Sequence, residues 1–155
     1  MLDSFREYLR VLLDEVTCRS RSISAIIVKN GIVIGKGMNN PTCNCVDNAR
    51  AMGHIVEDDG KTCVRYLLGA KSGQMLDLCN ATHAERNAIA DAHAHGFETH
   101  GAKMYMTCEC PCHLCADAIA NAGIETIYIK DKKDYDPRGR EILNLNNVNI
   151  QTWEV

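Results

Sequence analysis

Apolar residues recur along the chain with two periods, that of a helix and that of a strand. Between residues 2 and 16 they return every three or four positions, which predicts an amphipathic first helix. Two apolar runs follow, at 23–28 and 32–34, and they flank Asn30-Gly31, a dipeptide typical of tight hairpin turns. The chain is therefore predicted to begin with a helix and a β-hairpin.

The second half of the chain alternates helical and strand patterns. They predict helices at 81–94, 112–122 and 138–145 and strands at 103–107, 125–130 and 148–153. Thr82 or Asn80 is expected to cap the first of these helices, while Pro111 and Gly123 bound the second. Two strands followed by alternating helices and strands indicate an α/β fold, with a mixed sheet covered on both faces.

Residues 39–80 lack either period and are rich in Asn, Asp, Gly and Cys. A stretch of this length is longer than a structureless connection in a compact domain. The full length of 155 residues suits one domain. We therefore expect a single domain over 1–155 that carries a Cys-rich insert at about 39–80.

Composition limits the compartment and the partners. The sequence contains no run of 18 apolar residues, so no membrane span is predicted. Residues 1–10 lack the apolar stretch of a signal peptide. Nine cysteines, an odd number, favour metal-bound thiolates in a reducing cytoplasm over a disulfide scaffold. A net charge of −3 and an aromatic content of 5% argue against nucleic-acid binding and favour a small-molecule substrate.

The candidate chemistry lies in two short motifs, His83-Ala84-Glu85 and Pro111-Cys112-His113-Leu114-Cys115. One imidazole and two thiolates suit a zinc site with an open fourth position, at which a water's pKa falls toward about 7. Helix N-termini favour the thiolate form of Cys112 and Cys115. Glu85 lies near the metal without binding it and can carry protons. The combination resembles the signature of zinc-dependent deaminases.

A purely structural zinc, with Glu85 as a solvated surface charge, is the alternative interpretation. A structural site would more often carry a fourth Cys or His in place of Glu85. The motifs therefore favour a hydrolytic site.

The chain as a whole resembles the deoxycytidylate (dCMP) deaminases. The resemblance rests on successive landmarks over most of the chain: Ile23–Val28, Lys29-Asn30-Gly31, Gly37-Met38-Asn39-Asn40, His83–Ile89, Gly101–Thr107, Pro111–Gly123 and the strand at 124–130. It implies the cytidine-deaminase-like fold, a three-layer α/β/α arrangement around a five-stranded mixed sheet. It also implies that His83, Cys112 and Cys115 bind the catalytic zinc and that Glu85 is the proton shuttle.

The same resemblance implies the substrate contacts. Asn39 would contact the sugar, and Glu109 and Pro111 would line the pyrimidine. The chain departs from the family in two places: it reads Gly37-Met38-Asn39-Asn40 where Gly-Tyr-Asn-Gly is common, and its loop at 41–45 is not rich in Pro and Gly. Backbone amides and polar groups near 19–22 are candidates for the phosphate contacts.

The remaining cysteines suggest a second zinc. Some family members carry an additional zinc in this insert, and the stretch from Cys63 to Cys79 is similar to that of bacterial members. We expect Cys18, Cys45, Cys63 and Cys79 to bind it, with Cys43 as the substitute for Cys45. A polar insert has little apolar surface with which to order itself, whereas a four-thiolate zinc supplies folding free energy. The alternative is that these cysteines are small buried hydrophobes.

Four functions are open at this point. The resemblance favours hydrolysis of dCMP to dUMP and ammonia, which feeds thymidylate synthesis, by a homo-oligomer, in many members a hexamer, regulated by dCTP and dTTP. The second candidate is the same chemistry on dCTP, a 5-modified dCMP, cytidine or another aminated ring. A tRNA adenosine deaminase and a non-catalytic zinc-stabilised interaction module are the other two.

Overall fold

The computed structural model describes residues 1–131 and 133–155. Its strands are β1 (Ser24–Lys29), β2 (Ile32–Met38), β3 (Asn40–Pro41), β4 (Ala81–Thr82), β5 (Lys103–Met106), β6 (Thr126–Ile129) and β7 (Asn149–Thr152). Its α-helices are α1 (Leu2–Leu13), α2 (Cys45–Ala51), α3 (Val64–Leu67), α4 (Ala84–Ala94), α5 (His113–Asn121) and α6 (Pro137–Leu145). A short 3₁₀ helix covers Leu76–Leu78.

Five strands form one mixed sheet in the order β2-β1-β5-β6-β7. Strand β1 pairs antiparallel with β2 and β5, whereas β6 is parallel to both β5 and β7. Asn30 and Gly31, with φ of 52° and 77°, form the predicted turn, because a tight hairpin that follows the strand twist needs positive φ at both positions. The predicted five-stranded mixed sheet is confirmed.

Helices cover both faces of this sheet. On one face, α1 buries Phe5, Leu9 and Leu12 against Tyr105 and Trp153. On the other face, α4, α5 and α6 contribute to the larger core. The three-layer α/β/α prediction is therefore confirmed. The first helix is shorter than predicted, because after Leu13 the backbone amides bond three residues back rather than four and the last turn tightens.

Two glycines let helix α4 lie unusually close to strand β2. A Cβ atom on Gly37 would lie 2.1 Å from the Ala84 carbonyl oxygen, and one on Gly35 would lie 2.5 Å from that of Ala88. Any side chain at these positions would push the helix off the sheet. The close approach fixes the start of α4, where His83 immediately precedes the helix and Glu85 lies in its first turn.

The insert at 39–80 contains short elements and a small core of its own. Asn44 caps α2, and its side-chain oxygen accepts the amide of Val46 at 2.9 Å. Four buried apolar residues form the core of the insert: Val46, Ala49, Val56 and Val64. So few apolar side chains leave the insert dependent on other contacts for its order.

In the described part of the chain, none of the helices has the length and apolar character that a membrane crossing requires.

Candidate active site

The three predicted zinc ligands meet where two helices begin. His83 immediately precedes α4, Cys112 immediately precedes α5, and Cys115 lies in the first turn of α5. The Nδ1 atom of His83 is 3.6 Å from the sulfur of Cys112 and 3.4 Å from that of Cys115. All three ligand atoms lie within 4.8 Å of one another, close enough to share one ion.

The protonation of these groups fits a divalent cation. A hydrogen bond from the Cys115 thiol, together with His83, lowers the pKa of Cys112 to about 3. The hydrogen bond between the two thiols, together with burial, raises the pKa of Cys115 far above its ordinary value. Two adjacent thiols therefore share one proton, and a bound cation is what allows both to ionise. An imidazole nitrogen with two thiolates is a donor set that zinc prefers.

Glu85 lies in the first turn of α4 and is buried beside this cluster. Burial raises the pKa of its carboxyl group, so that the group can hold a proton more readily than an exposed glutamate. The thiol of Cys108 is 3.9 Å from Oε1, and Oε2 has no hydrogen-bond partner among the described residues. Such an oxygen is free to exchange a proton with a bound substrate. The motif pattern does not point to Cys108.

The cap of α4 differs from the prediction. The side-chain oxygen of Asn39 accepts the amide of Ala84 at 2.9 Å, so the expected caps Thr82 and Asn80 are wrong. Thr82 is held in the two-stranded pairing with Asn40. The side-chain amide of Asn80 donates instead to the carbonyl oxygen of Cys43. Only the tertiary fold brings Asn39 over the end of the helix.

The candidate substrate residues line one cavity of about 110 Å³ together with two of the three metal ligands, His83 and Cys112. Asn39, Glu109 and Pro111 belong to its wall, as do Glu85 and His83. Its walls thus combine a metal cluster, a buried carboxyl group and an amide, the groups that a hydrolysis of an aminated ring requires.

Glu109 has a partner that the sequence did not indicate. Its Oε2 atom accepts a hydrogen bond from Arg21 at 3.2 Å, and the Arg21 guanidinium lies 5.1 Å from the centre of the Tyr135 ring. The pair closes one side of the cavity and holds Glu109 in place.

Five of the seven cysteines outside the motifs line a second cavity of about 430 Å³: Cys18, Cys43, Cys45, Cys63 and Cys79. Burial and the nearby thiols of Cys79, Cys18 and Cys63 raise the pKa of Cys45. Their sulfur atoms lie farther apart than those of the His83 cluster, the one group among the described residues with three ligand atoms within 4.8 Å.

Cys43 points elsewhere. Its sulfur and its carbonyl oxygen both accept hydrogen bonds from the side-chain amide of Asn80, at 2.9 and 3.2 Å. Cys45 is therefore the thiol of this loop that lies among the other three.

Known proteins with this pattern share one chemistry. The family model for the cytidine and deoxycytidylate deaminase zinc-binding region matches residues 4–131. The deoxycytidylate deaminase of enterobacteria phage T4 is 32% identical over 171 aligned positions, which cover 90% of this chain and 88% of the relative.

Solved structures agree on the fold. The dCMP deaminase from the cyanophage S-TIM5, in complex with dCMP and dUMP, superposes with a TM-score of 0.66 at 19% identity, covering 97% of this chain and 95% of that one. A tRNA:A34 deaminase of A-to-I editing superposes with a TM-score of 0.54 at 22% identity, covering 98% and 91%. At such identities these likenesses concern the fold alone.

The family model includes the zinc-binding motifs, and zinc fits the donor set of His83, Cys112 and Cys115. The chain therefore belongs to the cytidine and deoxycytidylate deaminase family of zinc-dependent hydrolases.

Proposed function

We propose that this protein hydrolyses dCMP to dUMP and ammonia. The observation that carries the proposal is the buried Glu85, which shares one cavity with His83 and Cys112 of the three-residue metal cluster. The named relatives supply the substrate, since the phage T4 protein is a deoxycytidylate deaminase.

The residues divide the reaction as follows. His83, Cys112 and Cys115 would hold a zinc ion, which would supply the Lewis acidity that makes water nucleophilic near neutral pH. Glu85 accepts a proton from this water as the oxygen attacks C4 of the cytosine, and it delivers that proton to N3. Glu85 then takes the proton of the new C4 hydroxyl group and delivers it to the exocyclic amine, so that the bond from C4 to this nitrogen breaks, ammonia leaves and C4 becomes a carbonyl. The unpartnered Oε2 atom supports this shuttle.

The other wall residues hold the substrate. The side-chain oxygen of Asn39 is engaged with Ala84, which leaves the amide hydrogens to donate to a sugar hydroxyl. Pro111 and Glu109, the latter held by Arg21, would flank the pyrimidine.

A second, structural zinc is part of the proposal. Its ligands would be Cys18, Cys45, Cys63 and Cys79, which line a common cavity, where the other three thiols contribute to the raised pKa of Cys45. The small core of the insert supports the idea, because a metal would supply ordering energy that apolar burial does not. The engagement of Cys43 with Asn80 favours Cys45 over Cys43 as the ligand.

Elemental analysis of the purified protein tests the second zinc. We expect two zinc ions per chain, one in the Cys63→Ala variant, and two in the matched control Cys43→Ala. One zinc per wild-type chain would contradict it.

We propose a single catalytic domain that works in a reducing cytoplasm, where the free thiols stay available to metal. A homohexamer with dCTP and dTTP as effectors stays a prediction, which sizing chromatography and assays with added dCTP or dTTP would test.

The substrate itself is tested by a panel. The zinc-loaded protein is assayed on dCMP, dCTP, cytidine, guanine and tRNA, by ammonia release or loss of ultraviolet absorbance. We expect the highest kcat/KM on dCMP. Absence of turnover on dCMP would overturn the proposal, and turnover of dCTP alone would favour the related-nucleotide alternative.

A further inference from the structure

The first turn of helix α6 lies directly against the loop that carries the zinc ligand Cys112. A Cβ atom on Gly139 would overlap the carbonyl oxygen of Pro111 and would lie 3.2 Å from the carbonyl carbon of Cys112. So close an approach is possible because Gly139 has no side chain. The backbone of α6 therefore supports the backbone of the zinc-binding loop with no side chain between them.

Asp136 connects the starts of two helices, α5 and α6. Its Oδ2 atom accepts hydrogen bonds from the backbone amide of His113 at 3.2 Å and from the ring nitrogen Nδ1 of His113 at 2.7 Å. Its Oδ1 atom caps α6, because it accepts the backbone amide of Arg138 at 3.1 Å. His113 is the first residue of α5 and lies between the two thiolate ligands in the sequence. One carboxylate thus joins α6 to the turn that carries both of those ligands.

The segment that leads from β6 to α6 contacts the same loop at two earlier points. The backbone amide of Lys130 donates to the carbonyl oxygen of Cys108 at 2.8 Å, and Asp134 forms an isolated parallel β-bridge with Cys110. Together with the contacts of α6, these bonds align the segment with the zinc-binding loop. A displacement of one is therefore expected to displace the other.

We infer that Asp136 is a positioning residue for the catalytic zinc: it orients the turn that carries Cys112 and Cys115, so that α6 determines how tightly the site holds the ion. The inference rests on the part of the proposed function that places zinc at these two thiolates and His83, and it does not depend on the identity of the substrate. Zinc tolerates ligand distances only within about 0.2 Å of their usual values. Groups that orient the ligands therefore contribute to metal affinity, typically 10- to 100-fold each.

The test measures zinc per chain by elemental analysis, after equilibration with chelator-buffered concentrations of free zinc. The His83→Ala variant lacks one ligand and so identifies the catalytic ion in the titration. For Asp136→Ala, we expect the free zinc concentration at half-occupancy of this ion to rise by roughly 10- to 100-fold. An unchanged half-occupancy would overturn the inference. Because no substrate is present, the result stays separate from a failure of dCMP deamination.

Trp153→Phe is the control for a general loss of stability. It removes one hydrogen bond on the opposite face of the sheet, where the indole packs against α1. If Asp136 acted only as a helix cap, its loss would weaken zinc binding no more than this distant substitution does. We expect Trp153→Phe to keep the half-occupancy of the wild type, and an equal rise in both variants would overturn the inference.

Hydrogen exchange of the wild-type protein covers the case in which Asp136→Ala does not fold. Coupling between two sites is reciprocal, so zinc should stabilise the first turn of α6. The amides of Arg138 and Gly139 bond to the side chain and to the carbonyl oxygen of Asp136. We expect them to exchange at least about tenfold faster without zinc, with little change in the hairpin of β1 and β2. Equal exchange with and without zinc, or an equal increase in the hairpin, would overturn the inference.

Discussion

Asn39 connects the stability of the protein to its active site. Its side-chain oxygen accepts the buried Ala84 amide at 2.9 Å, at the N-terminus of the helix that carries Glu85. Replacing Asn39 by alanine leaves that amide without a partner. An unsatisfied buried donor costs about 1–3 kcal/mol, and loss of a helix cap costs about 0.5–2 kcal/mol, two descriptions of the same contact. We therefore expect Asn39→Ala to lower the free energy of unfolding by about 1–2 kcal/mol.

For a chain of this size, each kcal/mol corresponds to a Tm decrease of about 2–4 °C. Thermal unfolding of the zinc-loaded variant, followed by circular dichroism, measures the shift, and the dCMP assay measures kcat/KM in parallel. Asn39→Asp is the matched control, because it keeps the acceptor for Ala84 but removes the amide hydrogens proposed for the sugar. It should retain most of the stability and lose activity. An unchanged Tm in Asn39→Ala, or equal destabilisation by both variants, would refute this reasoning.

Two further substitutions test the packing that positions the site. Gly37→Ala should destabilise the protein by about 3 kcal/mol, because the added Cβ meets backbone atoms of Ala84 and Ala88 at 2.1 and 2.3 Å. Urea unfolding at the native zinc content measures this loss of stability. A loss below about 0.5 kcal/mol would be inconsistent with the close approach of α4 to β2. Trp153→Phe removes the indole hydrogen bond to the Met106 carbonyl oxygen, at 3.1 Å, and should cost about 1–2 kcal/mol while kcat stays near the wild-type value. A large change in kcat in Trp153→Phe would mean that this distant face of the sheet is coupled to the site.

Most of the fold followed from periodicity. The strands and helices of the second half and the Asn30-Gly31 turn depend on local pattern and turn chemistry, which the sequence displays directly. The cap of α4 did not follow from the pattern, because it depends on a tertiary contact. Thr82 carries a typical capping side chain, yet Asn39, 45 positions before Ala84, makes the bond.

The metal cluster was predictable for a different reason. Cys112 and Cys115 lie three residues apart at the start of one helix and His83 lies at the start of another, so both motifs are recognisable in the sequence although the fold brings them together. The contacts around them are long-range. The pairing of Arg21 with Glu109 and the Cys108 thiol beside Glu85 arise from chain crossings that no spacing reveals.

The central claim is that Glu85 moves the protons of a zinc-dependent dCMP deamination. The most direct measurement is kcat on dCMP for wild type and Glu85→Gln, each with its zinc content and Tm determined on the same sample. We expect Glu85→Gln to keep its zinc and its fold while kcat falls by about 10²- to 10⁴-fold, the usual contribution of general acid–base catalysis. A Glu85→Gln variant that retains zinc and turns over dCMP at the wild-type rate would contradict the account.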